Sequence, residues 1–110
     1  MEKFLFFENT TAQMVCIPAH RLVEMEMDGS EINLDMRFRL TNSSSVGSNL
    51  EYTTGVSVDN SKGEEVMKTI SHAINSGKNP FIVIADDVNK EYISPDINQT
   101  DGVGEPASIN

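Results

Sequence analysis

The chain has 110 residues, 38% of them hydrophobic and 23% charged, which suits one domain with one core and leaves little room for a second. Eight Lys and Arg stand against seventeen Asp and Glu, a formal charge of -9. Such a chain repels phosphate backbones and anionic bilayers, so neither nucleic acid nor membrane is an expected partner. A single cysteine, Cys16, excludes an intramolecular disulfide.

In chain order, residues 3–8 (KFLFFE) read as a first strand and residues 9–11 (NTT) as a turn. Residues 12–17 (AQMVCI) read as a second strand that Pro18 stops, because proline cannot donate to a ladder. Cys16 lies within an apolar run there and is expected to be a small buried hydrophobe. The sequence PAHR then makes a corner.

Residues 22–28 and 31–40 alternate apolar and polar side chains on both sides of Asp28-Gly29. Strict alternation predicts a half-buried hairpin, with Met25, Met27, Ile32, Leu34, Met36, Phe38 and Leu40 on the core face and Glu24, Glu26, Glu31, Asn33, Asp35, Arg37 and Arg39 on the other. A one-residue slip would carry charged groups into the core, so the register is strongly specified. Residues 41–49 (TNSSSVGSN) are polar, small and aperiodic, the composition of a loop. Residues 50–58 (LEYTTGVSV) return to strand composition, with Gly55 as a weak point or a bulge.

The period then changes. Val66, Ile70, Ala73 and Ile74, with Met67 beside them, recur at helical spacing, predicting an amphipathic helix over about 62–76. Ser61 and Glu64 have the spacing of a capping box, and Gly77 stands where a helix stops. Residues 79–87 (NPFIVIADD) form a continuous apolar run, a central strand. Residues 91–97 (EYISPDI) read as a last short strand. From 98 onward no core pattern remains. The predicted fold is mainly β (α+β): about seven short, mostly antiparallel strands in a small sandwich or barrel with one helix. Residues 1–97 would form the domain and 98–110 an extended tail.

Reactive chemistry is sparse. Cys16 with His20 or His72 lacks an electropositive, exposed setting that would activate a thiolate. Asp86, Asp87, Asn89 and Glu91 could offer oxygens to a hard cation, but they lack the glycine and twelfth-position glutamate of an EF-hand loop, and turn chemistry accounts for them as a solvated hairpin tip. No phosphate-binding glycine motif stands between a strand and a helix. The expectation is a protein that is not an enzyme, with no catalytic, cofactor-binding or metal-binding residues.

The segments VCIPAHRLVEMEMDGSEINLDMRF, GEEVMKTISHAIN and PFIVIADDVNKEYISPDI resemble small β-rich virion proteins of marine tailed phages, cyanophages among them, over about residues 3–97. The resemblance implies a structural role in the virion after synthesis in the host cytoplasm: a capsid decoration or cement protein. Its partners would be the major capsid protein and further copies of itself, a trimer suiting a local three-fold. Docking would use the loop at Ser43, Ser44, Ser45 and Asn49, and the tail at Asn98, Thr100, Asp101, Val103, Glu105, Pro106 and Ile109. A tail or neck component, and a phage-encoded module that binds a host protein, are the alternatives.

Overall fold

The alternating segments pair as their periodicity predicts. In the computed structural model, which describes residues 2–29, 31–39, 50–103 and 108–109, β3 (Leu22–Met27) and β4 (Asn33–Arg39) form the antiparallel hairpin. Met25 stands opposite Met36, and Glu26 opposite Asp35. Leu34, Met36 and Phe38 are fully buried, but Ile32, expected on the same face, precedes β4 in the turn and is 47% exposed, and Leu40 lies outside the described residues. The hairpin turn is wider than a two-residue one. Asp28 N–H donates to the Asn33 carbonyl at 3.1 Å, and Gly29 supplies a φ of +96°. Between Leu22 and Glu24 the register shifts, which makes Val23 an extra residue and leaves it 55% exposed. That bulge brings Leu22 onto the same face as Met25 and Met27.

β5 (Leu50–Val58) pairs with β4 from Glu51 to Ser57, and Thr54, Val56 and Val58 face the core. Gly55 is not a bulge. It stands opposite Asp35 on one side and, on the other, opposite Asp101 of β8 (Ile97–Asp101). A Cβ built on Gly55 would collide with the Leu34 carbonyl. Glycine is needed there for close backbone approach. β9 (Ser108–Ile109) also pairs with β5, opposite Leu50 and Glu51.

The other sheet begins with β1 (Phe4–Thr10) and β2 (Gln13–Pro18), an antiparallel hairpin. A 3-10 turn at Ala19–Arg21 is the corner that leads into β3. β6 (Phe81–Asp86) joins β1 in parallel, Phe4 opposite Phe81, and β7 (Glu91–Tyr92) adds a two-residue edge. The strand order is β2-β1-β6-β7 in this first sheet and β3-β4-β5-β8 in the second, with β9 beside β5. The architecture is therefore mainly β, built from two small sheets and one helix. Between barrel and sandwich, the two separate sheets make it a sandwich. Leu5, Phe7, Ile17, Ile82 and Ile84 from the first sheet meet Leu34, Met36, Phe38 and Val56 from the second. Phe7 and Phe38 close the contact edge-to-face, with centroids 6.2 Å apart.

The helix α1 (Gly63–Ser76) follows β5 and buries Val66 and Ile70 in the same core, with Met67, Ala73 and Ile74 packed partly against it. The expected capping box does not form: Ser61 has a φ of +66°, Lys62 holds the N-cap position, and no side chain bonds there. Gly77 ends the helix in an extended conformation, φ -70°, rather than a left-handed one. The last carbonyls are instead met by Lys3 from the other end of the chain. Its Nζ donates to Ala73, Ile74 and Gly77 oxygens at 3.0, 2.7 and 2.7 Å. A cation there complements the negative end of the helix dipole.

Two expectations about the termini of elements are corrected. Residues 98–103 do not begin a tail. Ile97–Asp101 forms β8 in the second sheet, and Ile97, Thr100 and Val103 are buried. The domain therefore continues at least to Val103. Cys16 is exposed, not buried. In the run MVCIP both faces of the strand are apolar, so composition hides the alternation. Ile17 points in, with Val15 partly buried on that face, while Met14 and Cys16 point out.

Candidate functional site

Two regions stand out from an ordinary small sandwich: a polar seam between the sheets and an uncovered apolar face. The seam grows from the end of β6. Asp86 is 3% exposed and its carboxylate accepts from the Val88 and Asn89 N–H groups, both at 3.1 Å, and from Asn89 Nδ2 at 2.8 Å. Burial alone would raise its pKa, but these donors and the neighbouring Glu8 outweigh it and hold the Asp86 carboxyl below its ordinary value. Glu8 stands beside Asp86 in register across the parallel β1–β6 pair and is 6% exposed. Burial, then a hydrogen bond to Asp86 and its charge, push the Glu8 carboxyl up. The two neighbouring carboxyls are thus shifted in opposite directions, Glu8 up and Asp86 down.

Asp87 turns the other way and ties the sheets together. Its Oδ1 accepts from Tyr92 Oη at 2.9 Å and from the Thr100 N–H at 3.1 Å, and its Oδ2 accepts from Thr100 Oγ1 at 2.7 Å. Burial, with the hydrogen bond to Asp87 next, pushes the Tyr92 hydroxyl up to about 12. Asp86 and Asp87 are therefore not a solvated hairpin tip. Their oxygens are engaged by donors of the protein itself, and among the described residues no group of three or more His, Cys, Asp or Glu is arranged to hold a metal ion. The seam is a clasp between β6, β7 and β8.

The residues weighed as a thiol site are not brought together. Cys16 lies on the outer face of β2, where partial burial pushes its thiol up, away from a nucleophilic thiolate. His20 pairs with Glu2 at 2.9 Å in the corner after β2, and His72 is on the exposed side of α1.

The uncovered face belongs to the first sheet. By alternation Phe4 and Phe6 of β1, Met14 and Cys16 of β2, and Phe81 and Val83 of β6 share its outer side. Phe4 is 37%, Met14 49% and Phe81 45% exposed. Phe6 and Phe81 stack with centroids 5.2 Å apart. No exposed charged side chain is part of this set. The second sheet's outer face is the opposite, carrying Glu24, Glu26, Asp35, Arg37, Glu51 and Asp101. Arg37 is held there by Glu24 and Glu26. Crowding by Asp28, Asp101 and Glu26, after the larger effect of partial burial, pushes the Asp35 carboxyl up. Two hollows, about 320 Å³ beside Phe81 and Ile93 and about 350 Å³ between Met27, Glu31 and Gly63, are open to solvent and hold no converging set of reactive groups.

Of the docking residues expected from the sequence, Ser43, Ser44, Ser45, Asn49, Glu105 and Pro106 lie outside the described residues. Asn98 and Asp101 are exposed on β8, whereas Thr100 and Val103 are buried and so face the core or the seam. Ile109 is in β9, beside Leu50. Sequence reasoning missed the apolar face, because in an all-apolar strand the inward and outward sets look alike. It missed the Asp87–Thr100 clasp because partners thirteen residues apart carry no local signal. Comparison with protein-family models, with curated proteins and with solved structures returns no match. Among the described residues, no helix is long and apolar enough to cross a membrane.

Proposed function

We propose that this chain is a structural protein of a phage virion, a capsid decoration or cement protein, that docks on a protein shell through the outer face of its first sheet. The observation that carries the reading is that face: Phe4, Phe81 and Met14, each more than a third exposed, where β1, β2 and β6 show no exposed charge and the exposed Glu91 of β7 stands only at its far edge. Exposed apolar patches of this kind mark interaction sites. A docking protein needs no active site, and the polar seam serves as internal bracing. The strongly acidic opposite face would keep the protein dispersed before assembly and would face solvent afterwards. The sequence segments that resemble small virion proteins of marine tailed phages support the same reading.

The test is quantitative mass spectrometry of purified particles from the source. A ratio to the major capsid protein near one, or a simple fraction of it, is the expected result. A few copies per particle would move the protein to a tail, neck or vertex. Absence from particles would overturn the virion reading in favour of a module acting on a host protein. A Phe81→Lys variant is expected to stay folded, because Phe81 is 45% exposed, and to lose incorporation.

A further inference from the structure

A sheet edge offers unpaired N–H and C=O groups to any extended chain, and proteins usually blunt such edges with charge, bulges or short strands. Among the described residues the two sheets have four outer edges, and three of them are blunted. β3 carries Glu24 and Glu26 and the bulge at Val23. β7 has two residues. β8 bears Asp101 and is followed by Gly102, which has a φ of +86°. The fourth edge, β2, carries no charged side chain over its six residues, and only Pro18 at its end lacks a donor, which leaves Gln13 to Ile17 open to pairing. The Ala19 N–H donates to the Lys3 carbonyl at 2.7 Å, so backbone groups of that parity, those of Ile17 and Val15, turn toward β1. By alternation the N–H and C=O groups of Met14 and Cys16 point away from the sheet. The same two residues carry the exposed side chains that extend the apolar outer face to the edge.

We infer that β2 is a self-pairing edge: two copies of this chain join β2 to β2, antiparallel about a two-fold axis, and merge their first sheets into one. With the axis through Val15, Met14 of each copy stands opposite Cys16 of the other. Both residues of such a pair exchange N–H···O bonds, so the outward groups of Met14 and Cys16 are all satisfied. An edge of this kind is complementary to itself under a two-fold, which is what an isologous contact requires.

Charge selects a second copy as the occupant. A chain of formal charge -9 ordinarily repels itself. Here Glu24, Glu26 and Asp101, exposed, and Asp35 and Glu51, half-buried, lie on the far face of the sandwich, Glu91 is on the opposite edge of the first sheet, and Gln13 to Ile17 bring no carboxylate to the contact. Glu8, the neighbour of Met14 in β1, is turned in against Asp86. A strongly basic partner would find no counter-charge on β2. Pairing of this type closes after two copies, so it builds a dimer and not the trimer that a three-fold capsid site would favour. The inference is independent of the virion reading and stands or falls without it.

The experiment is sedimentation velocity of the full chain, under reducing conditions, over a concentration series. The wild type is expected to sediment as a dimer that dissociates on dilution. Cys16→Lys, which changes an exposed side chain and sets like charges across the pair, is expected to be monomeric throughout with an unchanged circular dichroism spectrum. Cys16→Ser is expected to remain dimeric. Hydrogen exchange is expected to show the Met14 and Cys16 amides protected in the dimer and unprotected in Cys16→Lys. A monomeric or trimeric wild type would overturn the inference. So would a dimer that survives Cys16→Lys, one lost in Cys16→Ser, or one in which those amides exchange freely.

Discussion

Shortening the chain at two points separates what is core from what is appended. A chain ending at Ile97 loses most of β8, the burial of Val103, and the three hydrogen bonds that Thr100 makes to Asp87. Val103 is 7% exposed, and a buried valine is worth about 1.5–3 kcal/mol. Removing Thr100 leaves the half-buried Asp87 without its main donors, a loss of about 1.5–3 kcal/mol for charge-assisted bonds. Together with the β5–β8 ladder, the loss is roughly 5 kcal/mol, comparable to the whole stability of a small domain. A chain ending at Val103 keeps all of this and gives up β9, which pairs with Leu50 and Glu51 only; it is expected to lose about 1 kcal/mol or less. Urea titrations followed by far-ultraviolet circular dichroism distinguish the two. The expected result is a cooperative transition in the longer form and a shallow or absent one in the shorter. If the chain ending at Ile97 unfolds cooperatively at the wild-type midpoint, then β8 is an accessory and the clasp reasoning is wrong.

Gly55→Ala sets a methyl group against the Leu34 carbonyl and should destabilise by about 1–3 kcal/mol; an unchanged denaturation midpoint would show that β4 can shift at no cost. Lys3→Met keeps the stem but removes the ammonium that meets three helix carbonyls. It should cost about 1–2 kcal/mol and speed amide exchange in the last turn of α1, while equal exchange rates would count against a capping role. Glu8→Gln tests the seam by pH. Because the Glu8 pKa is raised in the folded state, its stabilisation is present below the ordinary carboxylate range and is lost as pH rises through the folded pKa. Asp86, with a lowered pKa, acts oppositely: its contribution is present above its ordinary value and is lost as pH falls. In Glu8→Gln the amide donates to Asp86 at every pH, so the decline on the higher-pH side should flatten while the acid limb stays. Urea midpoints measured from roughly pH 4 to pH 8 read this, and an unaltered slope on the higher-pH side would refute the raised Glu8 pKa as its cause.

Where one face of an element is wet, the sequence was readable. Leu34, Met36 and Phe38 alternate with charged residues, and all three are fully buried. Val66 and Ile70 recur at helical spacing and sit in the core. Legibility failed where the physical cause is distant or symmetric. The run from Met14 to Ile17 is apolar on both sides, so its outward half passed for core. INQTD has no apolar alternation, yet it is a strand because Asp87 holds Thr100 and β5 offers a free edge. Ser61 and Glu64 have capping spacing, but a left-handed Ser61 takes its hydroxyl out of position. Lys3 and the end of α1 are joined across more than seventy residues, a partnership no window along the chain displays.

The parallel alignment of β1 with β6 has a consequence for how the chain reaches its native state. Phe4 must wait for Phe81, so the first sheet is closed by a contact of very long sequence separation. Contacts of that kind incur loop-closure entropy before they return any burial, and they slow folding. During synthesis the β1–β2 hairpin leaves the ribosome well before β6, with apolar side chains on both of its faces and no third strand beside it. Until β6 arrives it is a sticky, half-finished sheet, open to mispairing with other nascent copies. The β3–β4 hairpin, with one charged face, carries no such exposure. The interval between these two events, rather than the stability of the finished sandwich, is the stage at which this protein is most vulnerable to aggregation.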